Sequence, residues 1–294
     1  MTADYHLTSM RQVRSIAKIL TARETIEGAG VRLHRAFGYD ELPLFDPFLM
    51  LDDFRAKSPH DYLPGFPWHP HRGIETVTYM LEGRVEHGDS MGNAGHINAG
   101  DVQWMTAGSG IIHQEMPKPV DGRMGGFQLW VNLPRAHKMR DPRYQEVKQA
   151  QVPTVEPEAG VSIRVICGTV AGVQGPVRDI VADPEYLDVT LGAGTHYTHP
   201  VREGYTAAAY VISGAGSFDP AAEALMNNRT MLLFSDGNEV RVQASEEGIR
   251  LLFFSGKPIN EPVAWGGPIV MNTQEELQLA FSEYRNGTFI RTNP

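Results

Sequence analysis

The chain spells out one pattern twice. His69-Pro-His-Arg-Gly-Ile-Glu-Thr-Val-Thr-Tyr79-Met-Leu-Glu-Gly83 can be laid over His199-Pro-Val-Arg-Glu-Gly-Tyr-Thr-Ala-Ala-Ala-Tyr210-Val-Ile-Ser-Gly214 with one residue inserted. Phe234-Ser-Asp-Gly237 likewise falls where the turn before His113 lies in the first copy. A repeat on this scale requires two similar units, and 294 residues suffice for two cores.

Each unit reads as short strands separated by turns. Residues 14–37 suggest two strands joined at Glu27-Gly28-Ala29-Gly30, and Phe48 to Leu51 a third. After the turn Pro64-Gly65-Phe66-Pro67, strands are expected at Thr76 to Leu81, Val102 to Thr106, Ile111 to Glu115 and Gly126 to Leu133. Thirty glycines and twenty prolines supply the punctuation. No amphipathic helices intervene, which argues against parallel α/β units and for an all-β sandwich or barrel. The expected division is an N-terminal metal-binding domain over residues 1–134, a basic, proline-bearing linker over 135–157, and a degenerate second domain over 158–294. One helix is expected near the end, capped by Asn272 or Thr273, running through Leu277, Ala280, Phe281 and Tyr284, and stopping at Asn286-Gly287.

A formal charge of −9 gives no broad cationic field, so neither nucleic acid nor an anionic membrane is an expected partner. Arg11, Arg14 and Lys18 interrupt the opening residues, which leaves no apolar core for an export signal. The only cysteine, Cys167, lies in an apolar run and reads as a packed small hydrophobe. A soluble, cytoplasmic protein is expected.

Two histidine pairings carry the chemistry. In extended chain, alternate side chains share a face, so His69 with His71 and His113 with Glu115 each present two ligands in one direction. Glu75 competes for the carboxylate position, since alternation would place it beside His71 unless Gly73 breaks the pattern; Glu115 is favoured because its pairing needs no intervening glycine. Three neutral imidazoles and a carboxylate suit one divalent first-row ion with open coordination positions: Fe(II), Mn, Co, Ni, Cu or Zn. In the second copy Val201 replaces His71, and residues 239–243 offer no His-x-Glu, so His196 and His199 read as relics. His6, His34, His60, His87, His96 and His137 read as exposed or capping residues, and Asp52, Asp53 and Arg55 as a solvated strand end. Phe66, Met80, Trp104, Met105 and Phe127 flank the ligand strands and read as barrel interior.

The spacing His-x-His-x3-Glu-x7-Gly, followed by Gly100-x7-Gly108-x4-His113, resembles a two-domain member of the cupin superfamily. More narrowly, Phe66-Pro-Trp-His-Pro-His-Arg-Gly-Ile-Glu75, Gly100-Asp-Val-Gln-Trp-Met-Thr-Ala-Gly-Ser-Gly-Ile-Ile-His113-Gln-Glu-Met116, Phe127-Gln-Leu-Trp-Val-Asn-Leu-Pro134 and Gly256-Lys-Pro-Ile-Asn-Glu-Pro262 resemble the pirin family. The resemblance implies two stacked jelly-roll barrels with one metal, usually iron, on residues matching His69, His71, His113 and Glu115. It also implies quercetin 2,3-dioxygenase chemistry, the O2-dependent opening of a flavonol with release of carbon monoxide, with Glu115 as the expected base for the substrate hydroxyl. The alternative implication is a non-enzymatic, iron-binding redox sensor that regulates a transcription factor or a metabolic enzyme, nuclear in an animal. Expected partners are therefore an aromatic small molecule and O2, or a regulated protein, acting on a monomer.

Overall fold

The computed structural model describes residues 11–120, 122–219 and 224–291; His6 lies outside them. The first half contains β1 (Ile16–Thr21), β2 (Arg23–Glu27), β3 (Val31–Phe37), β4 (Phe48–Asp53), a one-turn α1 (Pro59–Tyr62), β5 (Phe66–His71), β6 (Ile74–Glu82), β7 (Arg84–Asp89), β8 (Ala94–Asn98), β9 (Val102–Thr106), β10 (Ile111–Lys118), β11 (Gly125–Asn132) and β12 (Arg143–Val147). The second contains β13 (Thr154–Val155), β14 (Val161–Cys167), β15 (Thr169–Val170), β16 (Val173–Gln174), β17 (Glu185–Leu191), β18 (His196–Pro200), β19 (Thr206–Ser217), β20 (Met226–Asn227), β21 (Thr230–Phe234), β22 (Glu239–Gly256), β23 (Ala264–Gly266), β24 (Ile269–Met271) and α2 (Gln274–Arg285).

The duplication reappears as topology. One large sheet runs β12-β9-β6-β11-β4-β3-β2, and the main path of the other runs β1-β21-β19-β22-β17-β14-β13. Read in parallel, these orders put β6 opposite β19, the two strands that carry the repeated segment, and Gly83 and Gly214 both close that segment with a positive φ. In the first half a separate sheet, β5-β10-β7-β8, faces the large one. The layers form jelly rolls that do not close into a continuous hydrogen-bonded cylinder.

The large sheets pack face to face. Val77, Tyr79, Trp104 and Phe127 share one buried cluster with Tyr186, Tyr210, Leu252 and Phe254, so the central strands are covered on both sides. This explains why β6 is buried from Ile74 through Met80, where simple alternation would have exposed every second residue. The contact is pseudo-symmetric. Tyr79 donates to Asp188 at 2.6 Å while Arg250 grips that carboxylate with two nitrogens; Tyr210 donates to Asp53 at 2.8 Å while Arg55 grips it likewise. Asp53, expected at a solvated strand end, is thus fully buried, because β4 ends against the other half.

Both chain ends cross over. The segment expected as one strand before the first turn divides at Ala22: β2 stays with β3, whereas β1 pairs with β21 of the second sheet. Arg14, fully buried, fixes this crossing by donating to the carbonyls of Arg202, Tyr205, Ser235 and Gly237. Residues 135–157, expected as a linker, carry β12, which extends the first large sheet beside β9, and β13, which opens the second. At the other end, β23, β24 and α2 lie on the first half, with Val270 in the same cluster as Ile74 and Ile111. The helix starts as expected, with Thr273 accepting from Glu276 N at 3.2 Å and Glu276 reaching back to the cap backbone. Among the described residues no helix is long and apolar enough to cross a membrane.

Candidate metal centre

Register places the histidines. β5 and β10 pair antiparallel with His69 directly opposite His113, and both face the interior between the two sheets of the first half. His71, two residues along, shares the face of His69. Nε2 of His69 lies 3.1 Å from Nε2 of His71 and 3.0 Å from Nε2 of His113. Nδ1 of His69 donates to the carbonyl of Pro67 at 2.8 Å, and Nδ1 of His71 to that of Pro268 at 3.0 Å. Those bonds set the tautomers, leaving the Nε2 lone pairs of both rings pointing into the cluster.

Converging lone pairs repel unless a cation or a proton lies between them. Burial first, then the neighbouring imidazoles, hold the pKa values of His71 and His113 well below the ordinary histidine range. The three donors face one point, and the 3.0–3.1 Å separations from His69 match adjacent ligands at right angles around an ion with bonds of about 2.1 Å. Among the described residues, these three are the one histidine, cysteine or carboxylate group of three or more suited to a metal.

The carboxylates separate clearly. Glu115 shares the buried face of His113, although a register irregularity falls between them, and its carboxylate accepts from Thr78 Oγ1 at 3.0 Å and Gln128 Nε2 at 3.1 Å. It stands outside the group of converging nitrogens. Glu75 points away from the histidines. After Gly73 it lies on the face of β6 that Val77 and Tyr79 turn to the seam between the halves, and Trp104 Nε1 and Thr106 Oγ1 of the neighbouring β9 donate to it at 3.1 and 2.7 Å.

An open cleft of about 610 Å³ leads to His69 and His71. Phe66, Trp68, Trp130 and Trp265 wall it, with Tyr39 at the rim, and Glu27, Arg35, Asp52 and Gln128 line a polar flank. Asp52, also expected to be solvated, is buried under a two-nitrogen grip from Arg35 at 2.8 and 2.9 Å. Of the side chains expected in the interior, Phe66 reaches the cleft, while Met80, Trp104, Met105 and Phe127 are core. Pro268 and Trp265 carried no signal in the sequence, since by chain order they belong to the second unit. His87, expected to be exposed, is buried 3.1 Å from Glu146.

The second half keeps the shape without the donors. His199, matching His69, sits with Nε2 3.1 Å from Glu185 Oε2, and the same oxygen accepts from Ser255. Val201 is buried where a second imidazole would be needed.

Two jelly-roll units, one with a triple-histidine centre and one without, define a two-domain cupin. Residues 30–131 match the family described as Pirin, and residues 186–290 match the Pirin C-terminal cupin domain. The chain belongs to the pirin family. It is 46% identical to a pirin-like protein of Caulobacter vibrioides, across 94% of this chain and 99% of that one, and 39% identical to pirin of Rattus norvegicus, across 94% of each. The crystal structure of quercetin 2,3-dioxygenase from Acinetobacter baumannii superposes with a TM-score of 0.86 at 33% identity, covering 95% of this chain and 99% of that one.

Proposed function

We propose that the chain is a metal-dependent dioxygenase that uses O2 to open a flavonol-like ring with release of carbon monoxide, with Fe(II) as the expected ion on His69, His71, His113 and Glu115. The observation that carries this reading is the convergence of three imidazoles, two of which line an aromatic-walled cleft. The Acinetobacter structure of the same architecture, named quercetin 2,3-dioxygenase, supports it.

Bound there, a divalent first-row ion supplies Lewis acidity toward a substrate hydroxyl and a site for redox chemistry with O2. His71 and His113 stay neutral, so protons do not compete for the donor atoms at neutral pH. Glu115 takes the hydroxyl proton of the substrate, and Thr78 and Gln128 hold its carboxylate in place for that transfer. Trp130 presses edge-on against His71, ring centres 5.2 Å apart, which fixes that imidazole and keeps water from it.

The test is anaerobic purification with elemental analysis, then O2 uptake and carbon monoxide detection on adding quercetin, alongside His69→Ala and Glu115→Ala. Carbon monoxide release lost in both variants supports the reading. Stoichiometric metal without turnover overturns it and favours a redox-responsive, partner-binding role.

A further inference from the structure

The cleft is assembled from both ends of the chain, and the late segment contributes a whole wall. Trp265 lies on β23, and its indole donates to the carbonyl of Gly267 at 2.7 Å, which fixes the ring plane. It packs against Trp130 with ring centres 5.8 Å apart and against Tyr39 at 5.7 Å, so the aromatic surface runs from the rim to His71. Trp265 is only partly covered by these neighbours.

The strap bearing this wall is tightly held. Val270 donates to the carbonyl of Arg72 at 3.0 Å, and Lys138 Nζ ties the carbonyls of Val270 and Gly73 to the Asn132 side chain at 2.7–3.0 Å. Gly73 has φ +79°, and a Cβ there would lie 1.9 Å from the carbonyl oxygen of Val270, so the approach admits no side chain. A wall anchored this firmly is ordered before anything binds.

The polar flank sets the charge of what fits. Arg35 is engaged by Asp52 at 2.8 Å and by Glu27 at 2.8 Å, so two carboxylates face one guanidinium. Such a flank accepts hydrogen bonds from neutral hydroxyls and repels a fixed anion.

Resting on the dioxygenase reading, we infer that Trp265 is the specificity-determining wall of the cleft, against which a planar, uncharged, hydroxylated ring system stacks with its hydroxyls toward Glu27, Arg35 and Asp52. Ring stacking on an indole is lost with the ring and kept in part by a smaller aromatic.

The test is anaerobic equilibrium dialysis of metal-loaded protein with quercetin and with a sulfonated quercetin, for wild type, Trp265→Ala and Trp265→Phe, with metal content measured on each sample. The expected result is quercetin bound at least about ten-fold more tightly than the sulfonate, an affinity loss of about ten-fold in Trp265→Ala, recovery to within about three-fold in Trp265→Phe, and unchanged metal. Equal quercetin affinity in wild type and Trp265→Ala overturns the wall while leaving the dioxygenase reading standing. Equal binding of the sulfonate overturns the uncharged ligand class. Binding that depends on Trp265 without carbon monoxide release once O2 is admitted to the same samples supports the wall and removes the dioxygenase, whereas no quercetin binding by the wild type overturns both.

Discussion

The two halves share strand order and the Tyr–Asp–Arg clasp that joins them, yet one has three converging imidazoles and the other a histidine paired with a carboxylate. Tyr79 and Tyr210 do the same work on either side of the seam, whereas His71 and Val201 do not. The comparison separates two demands on one fold. Joining the sheets requires the same buried groups in both copies, because each clasp leaves a charge stranded if a partner is lost. The histidine cluster is kept in one copy only: in the other, Val201 stands where His71 would, and residues 239–243 offer no His-x-Glu.

The sharpest way to break this comparison is through metal content. His71→Ala is expected to drop bound metal from about one ion per chain to near zero, and His199→Ala to leave it unchanged, as read by elemental analysis after dialysis. Metal lost in His199→Ala would make the second half a functional partner.

Acid is expected to act on the first half next. His71 and His113 have lowered pKa values in the folded protein, so below about 6.5 the unfolded chain binds protons that the native chain refuses. Their contribution to stability is present above that pH and is lost as pH falls below it, at about 1.4 kcal/mol per pH unit for each histidine. Denaturation of the metal-free protein between pH 7 and 5 measures this slope, and a double His71→Ala, His113→Ala variant should flatten it.

The seam predicts near-equal losses. Tyr79→Phe and Tyr210→Phe each remove one donor from a buried aspartate and are expected to cost about 1–2 kcal/mol in urea unfolding without changing the slope. A cost twice as large on one side would show that the symmetry of contacts is not a symmetry of energies. The smallest effect falls on α2, where Thr273→Ala removes the cap and is expected to cost about 1 kcal/mol with metal retained.

Much of the fold could be read from local pattern. The strands around Val102 to Thr106 and Ile111 to Glu115, the capped helix and the repeat itself follow from alternation, turn residues and self-similarity. Pattern failed where chain segments meet from afar. Asp52 and Asp53 look like a hydrophilic strand end, and only the opposing Arg35, Arg55 and Tyr210 make them buried partners. The strand at residues 16–21 gives no hint that it leaves its neighbour for the other sheet.

The sequence alone determined the duplicated β unit, the paired presentation of His69 with His71 and the loss of the His-x-His in the second copy, because alternation and ligand type are properties of a few consecutive residues, whereas the register of β5 on β10 brings His113 to them. The tertiary structure decided that Glu75 faces away, that Pro268 orients His71 from 197 residues downstream, and that Trp265 walls the cleft. Those contacts depend on the path by which the chain's end returns across the first half, and no periodicity in the sequence encodes that path.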